Sequence, residues 1–505
     1  MYVAQGGTCT GSFVSRKAQG VTMTSEFPMY IDGEFITSDH PHVVTNPFDG
    51  STAGTTWMAS ADNLECATVA AQVAFRTFGK SPVYDRVDLL RSLAAKLKER
   101  RLDIIDIIVR EAGKPVGEAT TEVDRGVFTI DTAAEEAKRI QGDVIPLDLL
   151  PSSKGRFGIV RRFPIGPIAG ISPFNFPLNL ALHKVAPAIA SGNTIVIKPP
   201  TLAPLTMLMV AQLADEIGLP KGVLNVLPMD RATGDRLVED VRFKLLSFTG
   251  SPDVGWDMKR RAGVKPVVLE LGGNAGVLVD DDADLDFAVS RIRMGAFAYA
   301  GQVCISVQRV FIHESVYETV RDRVVEAAST LRMGNPADPA TELGPMIDDK
   351  AAARTESWIA DAVDEGATVL TGGNAQGRFF EPTVIENANP MSFVCSREAF
   401  APLVTLFPVK SFADGIVRLN DSDYGRQAGV FTNRLENALT AYERIEAGGI
   451  IVNDVPTYRI DHMPYGGVKS SGLSREGIRY AIEDMTEPRL MVINRLESQK
   501  LAEPE

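Results

Sequence analysis

The chain has 505 residues, 45% hydrophobic and 23% charged, with 43 Gly and 30 Pro, an ordinary globular composition with enough length for two or three cores. A formal net charge of -13 excludes a general phosphate-backbone binder, which needs a basic surface. Four cysteines (Cys9, Cys66, Cys304, Cys395) and five His, without zinc-ligand spacing or a disulfide framework, predict no metal site and a reducing cytoplasm.

Residues 1 to 25 are rich in Gly, Ser and Thr and read as a loose tail, with Met1 and Met23 both available as starts. The first twenty residues lack the basic start and apolar middle of a secretory signal. No run reaches the roughly 18 apolar residues of a membrane span, so no membrane partner is expected. Met29-Tyr-Ile-Asp-Gly-Glu-Phe predicts a short hairpin turning at Asp32-Gly33. From Tyr84 to Ala112, Val87, Leu90, Leu93, Leu97, Ile104, Ile105 and Ile108 recur at helical spacing, stopped by Gly113-Lys-Pro115. After Asn193 the pattern alternates. Strands are predicted from Thr194 to Lys198, Val223 to Val226, Leu245 to Phe248 and Val267 to Leu269, separated by helices from Leu205 to Ile217, Ala232 to Asp240 and Asp253 to Ala262. Such a repeat builds a parallel sheet covered by helices.

Ligands of such sheets collect beyond the carboxyl ends of the strands, which here read Lys198-Pro-Pro-Thr201, Phe248-Thr-Gly250-Ser251 and Glu270-Leu-Gly-Gly273. Gly250 permits close backbone approach, and the helix after Ser251 offers unpaired N–H groups to a phosphate, although the G-x-G-x-x-G fingerprint is absent. Downstream, Gly301-Gln-Val-Cys304 presents a glycine-flanked thiol, and Glu270 closes an apolar strand, a candidate nucleophile and a partly desolvated base.

In family order, Ile171-Ser-Pro-Phe-Asn175-Phe-Pro-Leu, Ile197-Lys198-Pro-Pro, Phe248-Thr-Gly-Ser251, Leu269-Glu270-Leu-Gly-Gly, Gly301-Gln-Val-Cys304, Leu343-Gly-Pro-Met-Ile, Glu398-Ala-Phe400-Ala-Pro402 and Pro464-Tyr-Gly-Gly-Val-Lys-Ser-Ser-Gly resemble the aldehyde dehydrogenase superfamily from about Met29 to Asn494. The resemblance implies NAD or NADP as cofactor and oxidation of an aldehyde to its acid. It implies Cys304 as nucleophile, Asn175 and the Cys304 N–H as oxyanion donors, and Glu270 as the base that activates water. Lys198, Ser251 and Glu398 would contact the dinucleotide, with Gly250 beneath it and Phe400 packed beside it. Relatives that transfer the acyl group to coenzyme A typically lack the glutamate, so Glu270 favours hydrolysis; acyl transfer and a catalytically silent scaffold are the alternatives.

Thr201 departs from the glutamate that many NAD-using relatives carry, and Lys-Pro-Pro-Thr resembles the non-phosphorylating glyceraldehyde-3-phosphate dehydrogenase branch, which favours NADP or dual use. Arg125 resembles a phosphate-binding arginine of that branch, and Arg459 with His462 lies in a stretch that lines the substrate mouth in relatives. An anionic aldehyde is expected on this reading; the alternative pairs Arg125 with Asp124 or Glu122 on a helix surface. Phe176 and Val303 replace a tyrosine and an arginine of that branch, which leaves succinate semialdehyde, lactaldehyde and phosphono- or sulfo-aldehydes all admissible.

The implied fold class is α/β. A Rossmann-type cofactor domain (26–140 and 163–275) joins an α/β catalytic domain (276–480), and a β-ribbon oligomerisation extension (141–162 and 481–497) precedes a short tail (498–505). Arg156-Phe-Gly-Ile-Val-Arg-Arg-Phe alternates as a strand and would pair with Arg489-Leu-Met-Val-Ile-Asn; an apolar edge of this kind predicts a homodimer or homotetramer.

Overall fold

A computed structural model describes residues 25–495, so the two expected tails lie outside the described residues, apart from the first tail's last position. The Asp32-Gly33 turn forms as predicted, with φ of 50° and 74° at its two residues, and joins strands Met29–Ile31 and Glu34–Ile36. The apolar repeat beyond Tyr84 folds as two helices, Val83–Glu99 and Arg101–Ala112, and Gly113 ends the second in the left-handed region (φ 63°).

Residues 194–270 give the expected alternation, each predicted strand and helix boundary falling within a residue or so of its place, and strand Ile168–Ile171 with helix Asn179–Ser191 precedes it as one more such unit. The strands associate as an eight-stranded sheet in the order Glu34–Ile36, Met29–Ile31, Leu224–Val226, Ile195–Lys198, Ile168–Ile171, Leu245–Thr249, Val267–Glu270, Gly472–Leu473. The five central strands are parallel, and the three outer pairings are antiparallel. The chain order of the parallel strands reverses between Ile168–Ile171 and Leu245–Thr249, the topological switch point at which an open α/β sheet opens a crevice. Helices bury these strands on both faces, so they read as near-continuous apolar runs.

A second sheet of seven strands holds Ala275–Val279 and Val307–His313 at its centre, parallel except for one outer pair, over its own apolar core. Strand Gly472–Leu473 returns late in the chain to pair with the strand that ends in Glu270, Gly472 lying opposite Glu270 itself. A third, three-stranded sheet orders Thr486–Asn494, Arg156–Pro164 and Asp143–Pro146, with Thr486–Asn494 paired antiparallel along all of Arg156–Pro164. Its apolar residues Val144, Leu490, Met491 and Val492 are exposed. No helix among the described residues is long and apolar enough to cross a membrane.

Candidate active site

A cleft of about 460 Å³ opens at the carboxyl ends of Ile168–Ile171, Leu245–Thr249 and Val267–Glu270, where the strand order predicts it. Of the residues singled out in the sequence, Asn175, Thr201, Gly250, Ser251, Glu270, Cys304, Glu398 and Phe400 all line it.

Cys304 is delivered by an unusual backbone. Tyr299 and Ala300 hold left-handed angles (φ 47° and 52°) and Gly301 follows at 67°, where a Cβ would overlap the Ala401 carbonyl. The thiol is free and partly exposed. Its Sγ lies 3.1 Å from the Tyr465 hydroxyl. Facing it, Asn175 is buried in the turn between Ile171 and helix Asn179–Ser191, and its Nδ2 donates to the Gln302 carbonyl at 2.9 Å, leaving one amide hydrogen to spare. The Cys304 N–H donates to no acceptor among the described residues. That turn is fixed from below. Buried Lys114 donates to the Asn175 carbonyl (2.6 Å), pairs with buried Glu122, and lies 3.8 Å from the centroid of the Phe176 ring. Glu122 in turn accepts from the N–H groups of Leu178 and Asn179 at the start of the helix.

Glu270 is 1% exposed, more deeply enclosed than its place at a strand end suggests. Its Oε2 pairs with Arg426 Nη1 at 2.5 Å, while Oε1 has no hydrogen-bond partner among the described residues. Burial pushes its carboxyl above the usual range, against the opposing pull of Arg426. One oxygen is therefore held and the other is free to accept a proton near neutrality. Neither Arg426 nor Tyr465 was singled out from the sequence. Tyr465 stands inside the Pro464-Tyr-Gly-Gly motif, whereas Arg426 has no local signal.

The other end of the cleft suits a dinucleotide. Ser251 caps helix Pro252–Arg261 without a side-chain cap bond, so its hydroxyl and the first-turn N–H groups remain available to an anion. A side chain on Gly272 would collide with the Glu398 carboxylate, whose Oε1 accepts from the Gly273 N–H at 2.9 Å. Phe400 (φ 50°) meets Phe174 edge-on at 5.9 Å. Lys198 ends its strand beside this wall without lining it. Burial lowers its ammonium to about 8, against the opposing pull of the Asp230 carboxylate. Thr201 lines the cleft, and its carbonyl lies 2.9 Å from His42 Nε2.

Arg125 and Arg459 come together in a second cleft of about 320 Å³, lined also by Thr121, Asp124, Phe128, Ile460 and Asp461. The surface pairing of Arg125 with Asp124 or Glu122 is not found, because Asp124 pairs with Arg101 and Glu122 with Lys114. Arg125 instead forms a two-pronged pair with buried Asp461 (2.7 and 3.1 Å), which also accepts from Asn179 Nδ2 (3.0 Å) and lies 2.8 Å from His183 Nε2. Arg459 is buried, stacks 3.8 Å from the centroid of the Tyr465 ring, and pairs with Glu476 at 3.2 Å. Glu476 also pairs with Lys184. His462 is exposed and lines neither cleft.

A reversing parallel sheet that gathers a thiol, an amide and a buried carboxylate at its strand ends defines an α/β fold with its cleft at the topological switch point. The chain belongs to the aldehyde dehydrogenase family, whose model matches residues 35–491, and it acts on aldehydes. It is 42% identical over 476 residues to the 3-sulfolactaldehyde dehydrogenase of Priestia aryabhattai, covering 94% of this chain and 99% of that one. The structure of aldehyde dehydrogenase 21 from Physcomitrella patens, in complex with the reaction product succinate, superposes with a TM-score of 0.93 at 41% identity, covering 95% of this chain and 100% of the other. The glyceraldehyde-3-phosphate dehydrogenase GapN of Methanocaldococcus jannaschii, complexed with NADP, gives 0.86 at 36% identity over 90% and 99% of the two chains.

Proposed function

We propose that the protein oxidises a small monoanionic aldehyde to its carboxylic acid, with NADP, or NADP and NAD alike, as the cofactor. The observation that carries this reading is the single cleft holding a free thiol, a buried carboxylate with one unpaired oxygen and an amide with a spare hydrogen. The Cys304 thiolate adds to the carbonyl carbon, and Asn175 Nδ2 with the Cys304 N–H receives the oxyanion. The nicotinamide, when bound, supplies the hydride acceptor. Glu270 Oε1 takes a proton from water, which attacks the thioester and releases the acid and the Cys304 thiolate. Lys198, Thr201, Gly250, Ser251 and Glu398 hold the dinucleotide, with Phe400 against it. Thr201 places no carboxylate near a 2'-phosphate, and the related GapN structure contains NADP.

The second cleft supports the monoanion. Arg125, Arg459 and Lys184 oppose Asp461 and Glu476, which leaves one net positive charge in the cluster, since burial holds the His183 imidazole below its ordinary range and neutral. A sulfonate or a carboxylate balances that charge, in keeping with the sulfolactaldehyde dehydrogenase and the succinate complex among the relatives. The exposed sheet edge at Thr486–Asn494 supports a homo-oligomer. NAD and NADP reduction would be followed with neutral, monoanionic and dianionic aldehydes, using wild type and Cys304→Ala. Turnover with monoanionic aldehydes that vanishes in the variant is the expected result. Reduction that required coenzyme A, or none with any aldehyde, would overturn the reading.

A further inference from the structure

Tyr465 stands between a residue of each cleft, its hydroxyl against Cys304 and its ring against Arg459. The side chain is 2% exposed, and a buried phenol O–H requires a partner. That hydroxyl lies 3.1 Å from Cys304 Sγ, and the Arg426 guanidinium also hydrogen-bonds the phenol, which leaves the hydroxyl proton for the sulfur. The backbone around the ring is fixed. The Tyr465 N–H donates to the Glu476 carbonyl at 2.9 Å, and the Tyr465 carbonyl accepts from the Glu476 N–H at 2.6 Å. Two guanidiniums cover the ring, Arg459 at 3.8 Å and Arg426 at 5.2 Å from its centroid, and each is anchored by a buried carboxylate, Glu476 and Glu270. The hydroxyl is therefore held at one point in space, beside the sulfur.

A thiol can donate to a phenol oxygen or accept from it, but a thiolate can only accept. We propose that Tyr465 is a catalytic residue of this chain, its hydroxyl donating to the Cys304 thiolate, stabilising that anion and fixing its position in the cleft. The phenol keeps its own proton throughout, since burial holds its acidity far below that of an exposed tyrosine. The bond is available twice in the proposed reaction, before the sulfur adds to the carbonyl and again as it leaves the thioester. A phenylalanine here would keep the surface on which Arg459 stacks and remove only the donor. The inference rests on reading Cys304 as the nucleophile.

The test is alkylation of Cys304 by iodoacetamide from pH 6 to 10 in wild type and Tyr465→Phe, with Cys304→Ala to subtract other thiols and melting curves to check packing. A hydrogen bond to a charged acceptor is worth about tenfold. The expected result is a Phe variant about tenfold slower at pH 7, converging with wild type at pH 10. Superimposable profiles, or profiles offset by a constant factor at every pH, would overturn the inference, the latter because it reports access rather than charge. If the Phe variant melts below the assay temperature, the wild-type thiolate absorbance near 240 nm decides, because a midpoint no lower than that of an ordinary exposed cysteine, about 8.5, overturns the inference equally. No aldehyde or nicotinamide enters the measurement. A chain inactive with every aldehyde but showing the pH-dependent difference would keep Tyr465 and lose the proposed reaction, and an active chain with superimposable profiles would do the reverse.

Discussion

Under the proposed function, two single residues are expected to set specificity. The Lys198 ammonium is lowered to about 8 by burial, so the cation present at pH 7 is largely gone by pH 9. The dissociation constant for NADP is expected to rise as pH passes through about 8, and a fluorescence titration between pH 6.5 and 9.5 measures it. A flat profile would remove Lys198 from the cofactor contacts. Asp461 neutralises one of the two arginines in the second cleft. Asp461→Asn raises the local charge by one, so the ratio of kcat/KM for a dianionic phospho-aldehyde to that for a monoanionic one is expected to increase by about tenfold. Steady-state kinetics on matched aldehydes reads that ratio, and an unchanged ratio would mean that Asp461 is scaffolding alone.

At the scale of elements, the approach to Cys304 is the most constrained segment of the site. Three consecutive left-handed residues end at Gly301, beside the Ala401 carbonyl. Gly301→Ala is expected to lower the stability of the fold by about 2 kcal/mol or more, read as a shift in urea midpoint, and to lower turnover further by moving the thiol off its line to Asn175. A variant with wild-type midpoint and turnover would show that the segment is not strained. The Asp32-Gly33 hairpin was legible because glycine position is a local signal, whereas the left-handed run before Cys304 was not, since Tyr299 and Ala300 carry no such signal. The strand and helix repeat from Thr194 to Glu270 was legible for the same reason as the hairpin, since the two periodicities are written within a few residues of each other. The partners that tune the site were not. Arg426 meets Glu270 across 156 positions, Tyr465 meets Cys304 across 161 and Asp461 meets Arg125 across 336, and no window of sequence displays pairings at such separations. Resemblance placed the nucleophile, the base and the amide in one cleft, but it said nothing of the cation that holds one oxygen of Glu270 or of the carboxylate that occupies Arg125.

On the scale of the whole molecule, the sheet containing Thr486–Asn494 ends in an unpaired edge with apolar residues on both faces, an arrangement that soluble proteins cover. Leu490→Asp with Val492→Asp is expected to convert an oligomer to a monomer in light scattering at unchanged far-UV circular dichroism. A wild-type chain that is already monomeric would refute the assignment of this edge. The returning strand Gly472–Leu473 has a different consequence. Glu270 gains its second flanking strand and its Arg426 partner, and Cys304 its Tyr465 neighbour, only from the last fifth of the chain. As the polypeptide leaves the ribosome, the first sheet can gather its parallel strands and Cys304 can emerge long before these pieces exist. From residue 304 to residue 473, about a third of the chain, the thiol exists without these neighbours. On the proposed reaction, a chain that stops before this strand is expected to carry the thiol without the activity.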